Sequence, residues 1–145
     1  MENDVAFIKI NKNQTLLFIG TIVGVDIFQI NDDQLYMMSS LLLGNVFWVA
    51  VSENSEYLSV ITDSQKHYLI SIKDSQNPFI LDESEFSVNL RSTEFDKTNE
   101  FIIICGEETF TLKKIKYNVE ANNPNMSYIG RVQVPIDFVF SKFYR

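Results

Sequence analysis

The stretch VFWVAVSENSEYLSVITDSQKHYLISIKDSQNPFIL, running from Val46 to Leu81, decides the fold. It holds three apolar bursts and a Pro-led fourth, separated by short polar turns. β-branched and aromatic residues dominate each burst, and no segment places apolar residues at i, i+3, i+4 and i+7 between caps, so the bursts read as strands. In VFWVAV both alternating faces are apolar, as expected of an inner strand sandwiched between two neighbouring sheets. In the third burst Tyr68, Ile70 and Ile72 fall on one side and His67, Leu69 and Ser71 on the other. Burial is therefore expected to fall from the first strand to the third, with Trp48 toward the centre and Pro78 opening an outer strand.

The same pattern recurs outward from this stretch. IKINKNQTLLFIG (Ile8 to Gly20) lies over VAVSENSEYLSVI (Val49 to Ile61) at an offset of 41. VDIFQINDDQ then falls on HYLISIKDSQ, both ending in I-x-D-x-Q. A looser third copy starts at Ser87, where FIIIC stands in place of YLSVI, and the closing IDFVFSKFYR looks like the first strand of a fourth. The units are placed at about 5–45, 46–86 and 87–135, with 136–145 opening the next, all within one domain. Tight turns imply antiparallel neighbours, so each unit is a four-stranded meander of propeller-blade size. The expected fold is all-β, about three blades plus one strand of an incomplete propeller. A single β-sandwich or barrel is the alternative.

Composition agrees and excludes several function classes. The chain is 46% hydrophobic and carries twelve Phe and six Tyr; with five Gly and three Pro, most turns fall to Asn, Asp and Ser. A formal charge of −7, with twelve scattered Lys and Arg, argues against a nucleic-acid surface. The most apolar window, LYMMSSLLLGNVFWVAV, is interrupted by Ser39, Ser40, Gly44 and Asn45, so no membrane span is expected. The N-terminus shows no secretory signal pattern, which favours a cytoplasmic location if Met1 is the native start. The acceptor triplets Asn13-Gln14-Thr15 and Asn125-Met126-Ser127 keep a secreted or cell-surface location as the alternative.

The second unit resembles an LVIVD repeat, a propeller-type repeat with a V-A-V-S strand, a Tyr-bearing strand and a third strand ending I-D-I-S before D-P-x-x-P. Residues Val49 to Ile61 and Tyr68 to Leu81 carry the likeness. Ile72-Lys73-Asp74-Ser75-Gln76-Asn77-Pro78 lacks the first proline of that ending, and the likeness weakens in units one and three. The resemblance implies a β-propeller used as an interaction surface and brings no catalytic residues.

Catalytic chemistry finds little footing. His67, the only histidine, reads as a half-exposed turn residue, and no nucleophile motif accompanies it. Cys105 sits in an apolar run and reads as a small buried hydrophobe. One Cys and one His disfavour zinc, no loop meets the calcium pattern, and no cofactor motif occurs.

In a propeller the turns after the second strand of a blade share a face with the connections between blades. That face would gather Thr21, Asp63, Lys66, His67, Glu83, Glu85, Glu107, Glu108 and Arg131, mostly acidic, and could dock a protein partner through a basic segment. On the opposite face RSTEFDKTNE and YNVEANNPNMS read as long loops. The expected function is a non-catalytic interaction or scaffold module within a larger protein or assembly. The missing blades would come from the same chain, a second copy or a partner. A secreted adhesion module and a propeller-type hydrolase are the alternatives.

Overall fold

The computed structural model describes residues 5–118 and 123–133, with side chains through Ile115. Among the described residues twelve strands fall into three four-stranded antiparallel sheets, each an uninterrupted meander. The first sheet is β1 (Val5–Ile10), β2 (Leu16–Thr21), β3 (Gly24–Asn31) and β4 (Gln34–Leu42). The second is β5 (Val46–Val51), β6 (Tyr57–Thr62), β7 (Lys66–Ser71) and β8 (Phe79–Glu85). The third is β9 (Leu90–Phe95), β10 (Phe101–Gly106), β11 (Thr109–Asn118) and β12 (Asn123–Gln133). We call them blades 1, 2 and 3. Among the described residues no helix is long and apolar enough to cross a membrane.

One turn chemistry, written with three different side chains, shapes every blade. Between the first and second strands, Asn11, Ser52 and Asp96 occupy the same position. The Asn11 Oδ1 accepts from the amides of Thr15 and Leu16, the Ser52 Oγ from Glu56 and Tyr57, and the Asp96 Oδ1 from Glu100 and Phe101. Three residues further on, Gln14, Ser55 and Asn99 adopt left-handed φ of 60°, 61° and 63°. A backbone bond from that residue's amide to the carbonyl of the capping residue closes each turn. Short polar side chains that bond their own backbone suit such a turn, and this is what the Asn- and Ser-bearing connections encode.

Bulges recur as well. The pairing of first and second strands slips once per blade, at Val5/Phe7, Val46/Trp48 and Cys105/Gly106, and that of third and fourth strands slips at Ile27/Phe28, Leu69/Ile70 and Leu112/Lys113. Each bulge adds local twist, which lets a four-stranded sheet present two faces to two neighbours.

The blades stack face to face through two cores. Phe18, Val25 and Ile27 of blade 1 meet Val49, Leu58, Val60, Tyr68 and Ile70 of blade 2. Tyr57, Ile61 and Leu69 of blade 2 meet Leu90, Ile102, Ile104 and Ile115 of blade 3. The alternation in β7 thus divides its side chains between the two cores. At Gly20 a Cβ would stand 2.8 Å from the Val46 Cγ1, so a side chain there would have to displace Val46 where blades 1 and 2 meet. Trp48 lies against Phe7 of blade 1, ring centres 5.2 Å apart, and its Nε1 donates to the Thr93 carbonyl of blade 3 at 2.9 Å.

Two expectations need correction. Burial does not fall from first to third strand: β6 is buried throughout and β7 nearly so, whereas β5 is mixed. First strands have side chains facing the middle of an arc that the described blades leave open, while second and third strands lie between sheets. The long loops also shrink. Arg91 to Phe95 belong to β9, and most of YNVEANNPNMS belongs to β11 and β12. The strand expected over 136–145 lies outside the described residues.

Candidate functional site

The turns between second and third strands, together with the blade-to-blade connections, share one face. The residues expected there fare differently. Asp63, Glu83, Glu85, Glu107 and Glu108 are exposed, and Lys66 is half-buried. Thr21 is buried: its Oγ1 accepts from the amides of Val23 and Gly24 and donates to the Gly24 carbonyl, so it holds a turn and offers nothing to a ligand. Arg131 pairs with Thr111 through β12, and its side chain lies outside the described residues.

The acidity of this face is largely met within the chain. The Asn45 amide donates to Asp63 at 2.8 Å, Lys66 pairs with Glu83 at 3.5 Å, and Glu107 accepts from Asn89 and Arg91. The Lys66 ammonium is held above its ordinary range by Tyr68 and by Glu83.

His67 overturns its sequence reading. It is a wholly buried strand residue in β7, because its position is the alternate one that faces blade 3. Its Nε2 lies 2.6 Å from the Ser59 Oγ, which lies 2.7 Å from the Thr93 Oγ1 of blade 3. Among the described residues its Nδ1 has no partner. Burial, then the Lys113 cation, pushes its pKa well below the usual imidazole range, so the ring is neutral. A bare acceptor is less costly to bury than an orphaned N–H, which assigns the proton to Nε2, donating to Ser59. A serine hydroxyl beside an imidazole has the parts of a nucleophile and its base. Here Ser59, His67 and Thr93 are each 0% exposed, so the chain of bonds ties blade 2 to blade 3 and no substrate reaches it.

A second polar tie crosses the same interface. Lys113 of β11 is 1% exposed, and its Nζ donates to the Asp82 carboxylate at 2.9 Å and to the Ser84 hydroxyl, both on β8. The ammonium also stands 5.8 Å from the centre of the Phe86 ring. Sequence reasoning missed Ser59, Thr93, Asp82 and Lys113, since each reads alone as an ordinary polar residue of a strand.

Cys105 is half-buried on the side of blade 3 turned away from blade 2, and burial raises its thiol pKa. On the opposite face, a cleft of about 300 Å³ lies where the first turns converge, lined by Lys9, Lys12, Glu53, Phe95 and Asp96. The Lys12–Glu53 ion pair spans two blades there. Among the described residues no group of three His, Cys, Asp or Glu side chains could hold a metal ion.

The outer sheet faces of blades 1 and 3 take no part in the two cores. Direct pairing puts Ile8, Ile19 and Asp26 on one face of blade 1, joined by Ile10, Leu17 and Phe28. Ile8 is 58% exposed and Ile10 48%. On blade 3 it puts Ile103, Leu112 and Glu94 on the outward side, with Cys105, Phe110 and Phe101. None of these belongs to either core except by chain neighbours.

No family model matches the chain, and no curated protein does. Solved structures do. Hsv2 of Kluyveromyces lactis superposes with a TM-score of 0.73 at 13% identity, over 93% of this chain and 49% of that one. A functionally unknown protein of Desulfotomaculum acetoxidans gives 0.74 at 13% identity, over 92% and 43%. The β-propeller domain of Cps50 (Swd1) of Myceliophteria thermophila gives 0.64 at 15% identity, over 90% and 40%. At this identity the likeness shows the fold alone, an incomplete β-propeller. The chain spans half the length of these proteins or less.

Proposed function

We propose that this chain is a non-catalytic interaction module of propeller type that works by docking other protein through the outer face of blade 1. The carrying observation is the apolar face of blade 1, where Ile8, Ile10, Leu17, Ile19 and Phe28 sit on one side of a sheet whose other side is buried. Equivalent positions in blade 2, Leu58, Val60 and Ile70, are wholly buried against a neighbour. An apolar sheet face of this kind marks an interaction site in a soluble protein.

What supports the non-catalytic part is the placement of His67. The single imidazole of the chain is walled in and neutral. A general base must come within hydrogen-bond reach of a substrate proton, and this one does not.

The test is the binding of an apolar dye, 8-anilinonaphthalene-1-sulfonate, to the natively folded chain at high dilution. Strong fluorescence that falls when Ile8 and Ile19 are both replaced by Ser is the expected result. A folded chain that leaves the dye dark overturns the reading.

A further inference from the structure

β4 is the outer strand of blade 1, and among the described residues it pairs with β3 alone. Its sequence, QLYMMSSLL, holds neither a charge nor a proline. The other two outer strands hold both or adjoin them: β8 follows Pro78 and carries Asp82, Glu83 and Glu85, and β12 carries Pro124 and Arg131. Charge and proline are what keep a strand edge from pairing with another chain. β4 instead shows Leu35, Tyr36, Met37 and Leu42 to solvent, at 53%, 48%, 55% and 84% exposure.

The turn that opens β4 fixes which of its main-chain groups point outward. Asp32 and Asp33 have φ of 51° and 63°, the left-handed pair of a two-residue hairpin turn, and Asn31 lies opposite Gln34. The residues flanking such a turn exchange hydrogen bonds, and bonded and non-bonded pairs then alternate along the ladder. Leu35, opposite Ile30, and Met37, opposite Phe28, fall at non-bonded positions, so their N–H and C=O point away from β3. The bulge at Ile27/Phe28 shifts the phase by one residue, and Ser40 and Leu42 take the same orientation beyond it. All four are exposed. Among the described residues no backbone bond outside the sheet engages them. The tie from this strand to blade 2 is a side-chain one, from the Ser39 hydroxyl to the Ser75 carbonyl.

We infer that β4 takes up an extended segment of a partner protein as a fifth strand of blade 1, antiparallel to it and basic at its C-terminal end. A row of outward donors and acceptors along a strand is the template for another extended main chain. Antiparallel pairing is the more stable per residue. It sets the C-terminal end of the segment beside Asp32 and Asp33, both exposed, in a chain whose formal charge is −7. Blade stacking does not supply this occupant. Blade 2 packs against a blade on each side, yet Phe79 and Ile80 of its outer strand stay 49% and 43% exposed. A further blade on the outer face of blade 1 would leave the β4 edge open in the same way. The inference goes beyond the docking of that face, because the groups it engages are main-chain ones at the rim.

The experiment is fluorescence anisotropy of a labelled, acetylated peptide of three Thr-Val repeats ending in two lysines, titrated with the whole chain. Two further forms carry N-methyl groups, one on the threonines and the other on the valines. A strand turns alternate amides to opposite edges, so one methylated form binds about ten-fold or more weaker than the parent peptide and the other within about two-fold. Met37→Pro removes one outward N–H and spares the ladder to β3, and it weakens the parent peptide by about ten-fold or more. In the chain alone the amides of Leu35 and Met37 exchange fast, and they slow when the peptide is present.

Equal weakening by the two methylated forms, or none by either, marks side-chain adhesion and overturns the strand addition, as does a peptide that the chain does not bind. Slow exchange at Leu35 and Met37 in the chain alone means that the edge is already paired, and overturns it too. A chain that takes up the dye and ignores the peptide keeps the docking face and loses the fifth strand. One that binds the peptide and leaves the dye dark does the reverse. Should Met37→Pro fail to fold, the methylated peptides on the unsubstituted chain decide.

Discussion

At the scale of single residues, His67 makes stability depend on pH. Its folded pKa is depressed, first by burial and then by Lys113. Ser59 on β6 bonds it, Ser84 on β8 pairs beside it, and the Lys113 cation that acts on it is itself held by Asp82, so among the described residues no carboxylate is bonded to the ring to favour its charged form. In the unfolded chain the ring titrates near its ordinary value of about 6.5. Below that pH the unfolded state binds a proton that the folded state refuses. The contribution is therefore complete above about pH 6.5 and is lost as pH falls below it, at up to about 1.4 kcal/mol per pH unit. Substituting His67→Gln keeps a donor for Ser59 and removes the titration. Urea midpoints between pH 7 and pH 5 should fall less steeply in this variant than in the parent, and parallel slopes would refute the assignment. The carboxylates of Asp74 and Asp96, both held below their usual range, act at lower pH and in both proteins.

At the scale of elements, the recurrent first turn sets strand register. Asn11, Ser52 and Asp96 differ in charge and size but each places an acceptor under the two amides that open the second strand. Ser52 is 0% exposed, so Ser52→Ala leaves the buried Tyr57 amide without that acceptor, while the Glu56 amide keeps the Asn54 Oδ1. A loss of about 1–3 kcal/mol in urea unfolding is expected. Ser52→Asn should lose much less, because Asn11 makes the same pair of bonds in blade 1. Equal losses in the two variants would show that the cap is incidental. The turns also bridge blades: the Asn11 amide donates to the Ser55 Oγ, and the Asn54 backbone amide to Asn99.

At the scale of the whole molecule, stability should be graded along the array, since each blade contacts only its neighbours. Among the described residues blade 2 packs against a blade on each side and blades 1 and 3 against one each. Amide exchange on the diluted chain should be slowest for Leu58 to Ile61 and His67 to Ile70 and faster throughout β1 and β4. Uniform protection across the three blades would mean that the array opens as one unit. The Ser59–His67–Thr93 and Asp82–Lys113 ties make the contact between blades 2 and 3 polar at its centre, whereas blades 1 and 2 meet through an apolar core.

Much of this was legible in the chain itself. Alternation in VFWVAV and HYLISI, polar turns at a spacing of 41, and the want of any helical period fixed the strands, the meanders and the blade, because these are local properties with a period of two and a turn code. Residue exposure was less legible. His67 and Thr21 looked like members of a loop face, and only register, which places one neighbour of a strand pair inside and the next outside, shows them buried. Lys113 reads as a surface charge until blade 2 supplies Asp82 and Ser84 opposite it. The sequence by itself determined that blades form and that they need neighbours, since an apolar strand face must be covered. Which strand faces are buried between blades was decided by tertiary packing alone, because it depends on groups that lie dozens of residues apart and meet only when the blades stack.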